Sequence, residues 1–197
     1  MENDASETER LLALAVAGDA DAFGQLCRIY QTRLFRQAML LAGNMSTAEE
    51  LTQETLIEGW KGLRRFQGGC RFFTWLCAIL LNRYRNSVRV KRLIPFSELD
   101  AEQEAFQNRL DTEESAGPDE IIQHQELRRR VRQCLAALPR KQQQVIYLRF
   151  YTGESLEGIA AALGCSVGTV KSRLFYALER LRSMNVLNGE RVGANFL

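Results

Sequence analysis

A helix-turn-helix pattern between Gly153 and Met184 restricts the fold of this chain more than any other feature. Two helix-forming segments flank Gly164, which stands where a tight turn between helices requires a positive φ. The small Ala160 lets the two backbones approach closely, and the buried sides are formed by Ile159, Leu163, Val167 and Val170. The pattern therefore predicts a helix-turn-helix. The alternative is an ordinary helical hairpin with a solvated charged face.

The outward face of the second helix carries side chains suited to double-stranded DNA. Lysine and arginine neutralise phosphates, and together with hydroxyl groups they can hydrogen-bond the edges of bases. We therefore predict that this helix occupies a major groove. The candidate contacts are Ser166, Thr169, Lys171, Ser172, Arg173 and Tyr176.

Charge is segregated along the 197 residues, although the formal net charge is only +2. Residues 61–96 contain nine bases and no acid, residues 98–120 contain nine acids and one base, and residues 127–153 contain seven bases and no acid. Two basic blocks around an acidic connector suggest two modules that face nucleic acid, with a solvated linker between them. We predict a first domain over 1–94, a flexible acidic linker over 95–118 and a helix-turn-helix domain over 119–197.

The hydrophobic pattern predicts an all-α protein made of two small helical domains. Apolar residues recur at intervals of three and four from Leu11 onwards. A short first helix is expected to stop near Gly18, and the second is expected to start with Asp19 or Asp21 as its cap and to end at Gly43-Asn44. The stripe of the second helix consists of Phe23, Leu26, Tyr30, Leu34, Ala38 and Leu41.

A third helix is predicted over about 47–65, opened by a capping box of Ser46 with Glu49 or of Thr47 with Glu50. Its predicted inward residues are Ala48, Leu51, Thr55, Leu56, Trp60 and Leu63. Its predicted outward residues are Glu50, Gln53, Glu54, Ile57 and Lys61. Solvation is the default interpretation of this polar face, whereas an exposed Ile57 in its middle favours a partner.

Aromatic residues and arginines alternate in residues 71–89, which follow a break at Gly68-Gly69 and contain no acid. Phe73, Leu76, Leu80 and Tyr84 have the spacing of a buried stripe, so a core role is favoured for them over base stacking. An unpaired cationic helix beside aromatic rings is suited to single-stranded nucleic acid. The candidate contacts are Arg71, Trp75, Asn82, Arg83, Arg85, Asn86 and Arg89.

The composition indicates neither a metal site nor a cofactor. The five cysteines form no C-x-x-C pair, and only one histidine, His124, could complete a metal site. His124 is expected at the edge of the core, in a helix that begins at Asp119. We also predict a cytoplasmic protein with reduced thiols and no membrane insertion, because the sequence shows neither a signal peptide nor a long apolar run.

Four segments together resemble the extracytoplasmic-function (ECF) sigma factors. They are AEELTQETLIEGW at 48–60, FTWLCAILLN at 73–82, Leu138-Pro139, and GTVKSRL at 168–174. The resemblance implies two helical domains on a flexible linker that bind RNA polymerase core, recognise and open promoter DNA, and are held inactive by an anti-sigma factor. It also implies that Glu50, Gln53 and Glu54 bind the clamp helices of the polymerase. Asn82 and its neighbours would read the -10 element, and the helix from Gly168 to Tyr176 would read the -35 element.

The chain departs from the pattern of this family at four positions. The family often has Asp in place of Asn86, Arg in place of Gln143, Glu in place of Gly158 and Arg in place of Tyr176. Gly158 is expected to weaken its helix by about 1 kcal/mol relative to Ala. Tyr176 offers one hydroxyl and a ring where Arg would offer a two-pronged donor, so the preferred promoter sequence is expected to differ.

Two other classes of protein remain as alternatives. A free-standing helix-turn-helix transcriptional regulator would share the second domain, but it would need neither the aromatic basic block nor the acidic face at Glu50. A strand-transferring enzyme that uses Tyr84 between Arg83 and Arg85 would need a general acid or base close by. The single histidine lies far off in sequence, so we predict that the protein is not an enzyme.

Overall fold

The computed structural model describes residues 2–91, 134–135 and 137–184. The chain divides into two units, residues 1–112 and 113–197. The first unit contains α1 (Glu2–Val16), α2 (Ala20–Ala42), α3 (Met45–Gly62), a 3-10 turn (Leu63–Arg65) and α4 (Phe72–Lys91). The second unit contains α5 (Arg140–Phe150), α6 (Leu156–Leu163) and α7 (Val167–Ser183). The predicted all-α class is confirmed, and the described residues contain no strand.

The core of the first unit lies where α2, α3 and α4 pack on one another, with α1 against α2. Leu26, Leu34, Leu51, Leu76 and Leu80 are almost completely buried there. Complete burial of a leucine side chain contributes about 1.5 to 3 kcal/mol, so this apolar seam accounts for much of the stability of the unit. The stripes predicted for α2 and α4 therefore face the core, although Tyr30, Leu41 and Tyr84 are only half-buried.

The two connections before α3 are short and capped. Gly18 has a φ of 109°, and the Asp19 side chain then accepts hydrogen bonds from the backbone N–H groups of Asp21 and Ala22. Gly43 ends α2 in the left-handed conformation, and Asn44 caps α3 by accepting from the Thr47 N–H at 2.9 Å. The predicted capping box is wrong. Only two residues separate the helices, and the Asn44 amide already occupies the cap position.

Gly59 of α3 packs directly against α4. A Cβ atom at Gly59 would lie 3.0 Å from Cδ2 of Leu76, so the missing side chain is what lets the two helices approach. Trp60 is 38% exposed and packs its ring on Phe23, at 5.1 Å between centroids. The prediction that Trp60 points inward is therefore wrong, because the close crossing at Gly59 has no room for an indole.

The second unit has the predicted helix-turn-helix. Gly164 ends α6 with a φ of 61°, and its turn is closed by a hydrogen bond from the Cys165 N–H to the Ala160 carbonyl. Ile159 and Val170 are completely buried between the helices. A neighbouring cluster joins Leu138, Ile146 and Ala177, with Leu135, Leu174, Leu178 and Leu181 packed against it. Pro139 is the N-cap residue of α5 and stands directly before its first turn.

Several sequence predictions lie outside the described residues. They concern the linker over 95–118, the domain boundaries at 94 and 118, and the helix that contains His124. Within the described residues, no helix is long and apolar enough to cross a membrane.

Candidate interaction surfaces

The outward side of α3 presents an acidic and amide-bearing face. Glu50 and Gln53 are exposed, Glu54 is half-buried, and Ile57 is 53% exposed in the middle of the face. These residues lie opposite Ala48, which is completely buried. The face can therefore bind a basic surface without any loss of the core, and its exposed isoleucine supplies an apolar contact.

Glu58 links this face of α3 to α4, and sequence reasoning did not predict the link. One carboxylate oxygen, Oε1, lies 3.1 Å from Nζ of Lys61 and 2.8 Å from Nη2 of Arg83. The hydrogen bond from Lys61 and the positive charge of Arg83 lower the pKa of Glu58. The expectation of an unpaired cationic helix is therefore wrong at Arg83, because packing of α3 on α4 supplies an acid from another element.

The polar side of α4 brings several predicted strand contacts together. Asn82 and Asn86 are exposed, and Nη1 of Arg85 donates to Oδ1 of Asn82 at 3.3 Å. Arg71 is exposed immediately before the helix begins. Arg89 belongs to α4, but its side chain lies outside the described residues. Amide groups that can hydrogen-bond a base edge therefore stand beside a guanidinium group on one helix.

Trp75 is part of an aromatic cluster at the start of α4. Its ring centroid lies 5.3 Å from that of Phe66 and 5.8 Å from that of Phe72. A Cβ atom at Gly62 would lie 3.4 Å from the same indole, so the end of α3 packs directly on Trp75. Trp75 is half-buried. Only the outer part of the ring is available for a base, and the remainder supports the fold.

The hydroxyl groups of α7 are engaged within the helix. Oγ of Ser166 accepts from the Thr169 N–H at 3.1 Å and shares a hydrogen bond with Oγ1 of Thr169 at 2.9 Å. Oγ of Ser172 donates to the Gly168 carbonyl at 2.9 Å. Ser166 and Thr169 therefore form the N-terminal cap of α7. A hydrogen bond from either hydroxyl group to DNA would have to be made alongside these capping bonds or replace one of them.

The charged and aromatic groups of the same face differ in their exposure. Lys171 is exposed, whereas Arg173 is half-buried with Nη1 at 3.7 Å from the sulfur of Cys165. Tyr176 is 60% exposed and Phe175 is 55% exposed, and their rings meet edge to face at 5.5 Å. Phe175 is not among the contacts predicted from the sequence. Its position in the sequence could have indicated its exposure, because Phe175 lies outside the helical stripe that buries Val170 and Ala177.

Gly158 has a second role that the pattern did not predict. Glu154 is buried, and its Oε1 accepts from the Ser155 N–H at 3.0 Å at the start of α6. A Cβ atom at Gly158 would lie 2.6 Å from that same Oε1. The carboxyl group of Glu154 therefore occupies the space that a side chain at 158 would need, so a larger residue there would force Glu154 to move.

No group of three or more metal-binding side chains occurs among the described residues. All five cysteines are free thiols, and burial raises the pKa of Cys77 to about 12. A thiol with such a pKa stays protonated and behaves as an apolar core residue.

Comparison with known proteins identifies both units. Residues 26–93 match the Sigma-70 region 2 family, and residues 134–183 match the Sigma-70, region 4 family. The ECF RNA polymerase sigma-E factor of Escherichia coli K12 is 34% identical over 168 residues, which cover 83% of this chain and 86% of the relative. The chain belongs to the ECF sigma factors. It is therefore an RNA polymerase sigma factor, a transcription initiation factor that directs the core enzyme to promoters.

Other relatives of this sigma factor agree with the assignment. RNA polymerase sigma-H factor of Pseudomonas aeruginosa is 29% identical over 177 residues, covering 89% of this chain and 92% of the relative. The structure of CnrH in complex with the cytosolic domain of CnrY matches with a TM-score of 0.60 at 26% identity, over 91% of this chain and 97% of that one. The sigma factor RpoE from Bartonella quintana, solved with the anti-sigma factor NepR, matches with a TM-score of 0.56 at 26% identity, over 86% and 98%.

The match to region 2 decides between the alternatives that the sequence left open. A free-standing helix-turn-helix regulator would account for residues 134–183 but not for residues 26–93. The sigma factor assignment accounts for both.

Proposed function

We propose that this sigma factor binds core polymerase through the outward face of α3, contacts the melted -10 strand through α4, and reads the -35 duplex through α7. The observation that carries the proposal is that on each of these helices the polar side chains lie outside the stripe that holds the unit together. The core contacts are Glu50, Gln53, Glu54 and Ile57. The -10 contacts are Arg71, Trp75, Asn82, Arg83, Arg85, Asn86 and Arg89, and the -35 contacts are Ser166, Thr169, Lys171, Ser172, Arg173 and Tyr176. Promoter-specific transcription by core polymerase with the purified protein is the direct test.

An anti-sigma factor is the regulatory partner that we propose for this protein. The related RpoE was solved with the anti-sigma factor NepR, and the free α3 face with its exposed Ile57 is suited to a competitor of core polymerase. The proposal includes the linker over 95–118, the domain boundaries beside it, a cytoplasmic location and the absence of enzymatic activity. Binding of such a partner is expected to be mutually exclusive with binding of core polymerase.

The two DNA contacts are expected to respond differently to artificial melting of the promoter. Asn82→Ala removes a group suited to unstacked bases, so open-complex formation on duplex promoters should fall and base preference in the -10 strand should weaken. Arg173→Ala removes a group suited to a closed groove, so upstream duplex binding should fall by about 1 to 3 kcal/mol if a guanine edge is contacted. Transcription from duplex promoters and from promoters with a preformed -10 bubble is the measurement.

Either of two results would show that these two contacts are assigned wrongly. One is full recovery of transcription by the Arg173→Ala protein on the promoter with a preformed bubble, because Arg173 would then act in melting of the promoter and not in binding of the upstream duplex. The other is an Asn82→Ala protein whose -10 base preference equals that of the parent. A loss that is uniform over all upstream sequences, with a salt slope reduced by about one, would place Arg173 on a phosphate rather than on a base.

Tyr176→Arg is expected to create a preference for guanine at one position of the upstream element. Tyr176 stands exposed on the outward face of α7, and an arginine there can donate two hydrogen bonds to O6 and N7 of guanine. About tenfold discrimination at a single base pair is expected, measured by binding to duplexes that carry each base at each upstream position. Ser183→Arg adds the same charge at the exposed end of α7 and should raise binding to all sequences alike. A Tyr176→Arg protein that behaves like this control would contradict the prediction.

A further inference from the structure

The carboxylate of Glu58 is shared between two cations on two helices. It holds Lys61 of its own helix α3 at 3.1 Å and Arg83 of α4 at 2.8 Å. The side chains of Glu58 and Arg83 are 33% and 32% exposed, so other molecules can reach both groups. The pair is therefore accessible to competing charges and is not sealed in the core.

The ion pair opposes the DNA contact proposed for Arg83. A phosphate that approaches Arg83 meets a guanidinium whose charge is already compensated, and it is repelled by the carboxylate of Glu58. Exposed ion pairs of this kind are weak, and they are weakened further by salt and by competing charges. The pair can therefore be exchanged without unfolding the helices.

Glu58 also borders the surface that is proposed to bind core polymerase. It follows Glu50 and Glu54 at intervals of four residues, so the three carboxylates lie in one row along α3. A basic surface that docks on Glu50 and Glu54 brings cations to the end of this row. Such cations compete with Arg83 for the carboxylate of Glu58.

We propose that Glu58 restrains Arg83 in the free sigma factor and that docking of α3 on core polymerase releases Arg83 to bind the phosphates of the melted strand. Binding of core polymerase thereby raises the affinity of α4 for the melted strand, and the two events are coupled through the side chain of Glu58. The inference rests on the proposed function of α3 and α4.

The test compares the binding of a labelled single-stranded -10 oligonucleotide by the full-length free protein and by the reconstituted holoenzyme. In the free protein at low salt, Glu58→Gln should raise affinity about threefold, a change of the size that one exposed ion pair produces. Arg83→Gln should lower affinity, and the Glu58→Gln, Arg83→Gln double variant should equal Arg83→Gln alone. In the holoenzyme, the effect of Glu58→Gln should disappear. Glu49→Gln is the matched control, because it removes the same charge from an exposed position about half a turn around α3.

Three results would overturn the proposal. Unchanged, lowered or undetectable strand binding by the free Glu58→Gln protein would show that Glu58 does not restrain Arg83. An increase of the same size with Glu49→Gln would show a general effect of net charge. An increase that persists in the holoenzyme would show that core polymerase does not release the pair. None of these results touches the proposed function itself, which fails only if charge reversal on α3 leaves core binding intact or if the α4 and α7 variants leave promoter use unchanged.

Discussion

Charge reversal on the outward face of α3, with Glu50→Lys and Glu54→Lys together, is expected to weaken retention of core polymerase by at least about tenfold. The two side chains lie outside the buried stripe, so the first unit should keep its helical content and its thermal transition. Juxtaposed like charges at an interface cost several kcal/mol, so a large loss of core binding is expected. Pull-down of core polymerase at several salt concentrations is the measurement.

A control with the same change in net charge distinguishes an effect of the α3 face from an effect of the total charge of the protein. Glu9→Lys and Glu49→Lys both change exposed acids of the first unit, on α1 and on another side of α3. Core retention by this control should stay within about twofold of the parent, since rim and remote charges mainly alter association rates. Undiminished retention by the Glu50→Lys, Glu54→Lys protein would refute the assignment of the α3 face.

The second large effect is expected at Gly158. Gly158→Glu would force a side chain into the space of the buried Glu154 carboxyl group and would add a second acid beside it. Overpacking costs about 1 to 3 kcal/mol and a neighbouring like charge adds to it, so we expect a loss of about 2 to 4 kcal/mol from the second unit. Replacing Glu154 by Ala in the same chain should recover most of this loss, because the space is then vacant.

The placement of tryptophan provides an internal reference for this measurement. Both tryptophans, Trp60 and Trp75, lie in the first unit, so their fluorescence should report an unchanged transition. The loss should appear only in circular dichroism, as an earlier transition of the second unit. Ala161→Glu adds the same residue at an exposed position of α6 and should cost less than about 0.5 kcal/mol. Equal effects of Gly158→Glu and Ala161→Glu would contradict the packing argument.

Periodicity predicted those parts of the fold that depend on one helix at a time. The stripes that bury Leu26, Leu76 and Val170 follow from intervals of three and four, and Gly164 follows from the turn that it must make. The outward faces of α3 and α7 follow from the same intervals, since the residues that remain must face solvent. The outward positions on α3 and α7 could therefore be predicted from the sequence.

Features that depend on the contact between two elements were not predicted. The cap of α3 depended on how closely α2 ends before it, and this moved the cap from Ser46 or Thr47 to Asn44. The outward turn of Trp60 depended on the crossing at Gly59, and the pairing of Arg83 with Glu58 depended on the angle between α3 and α4. None of these relations has a fixed spacing in sequence, so a pattern of single residues cannot reveal them.

The two-residue connection between α2 and α3 limits which insertions and deletions this protein can accept. Gly43 closes one helix and Asn44 opens the next, so no spare residue lies between the two caps. One residue inserted inside the first turn of α3 would rotate the rest of that helix by about 100° around its axis. Glu50 and Glu54 would then turn towards another neighbour while Leu51 left the core. A substitution at this corner changes the contacts of one side chain, whereas a single added or deleted codon would shift the contacts of all the rest of α3 at once.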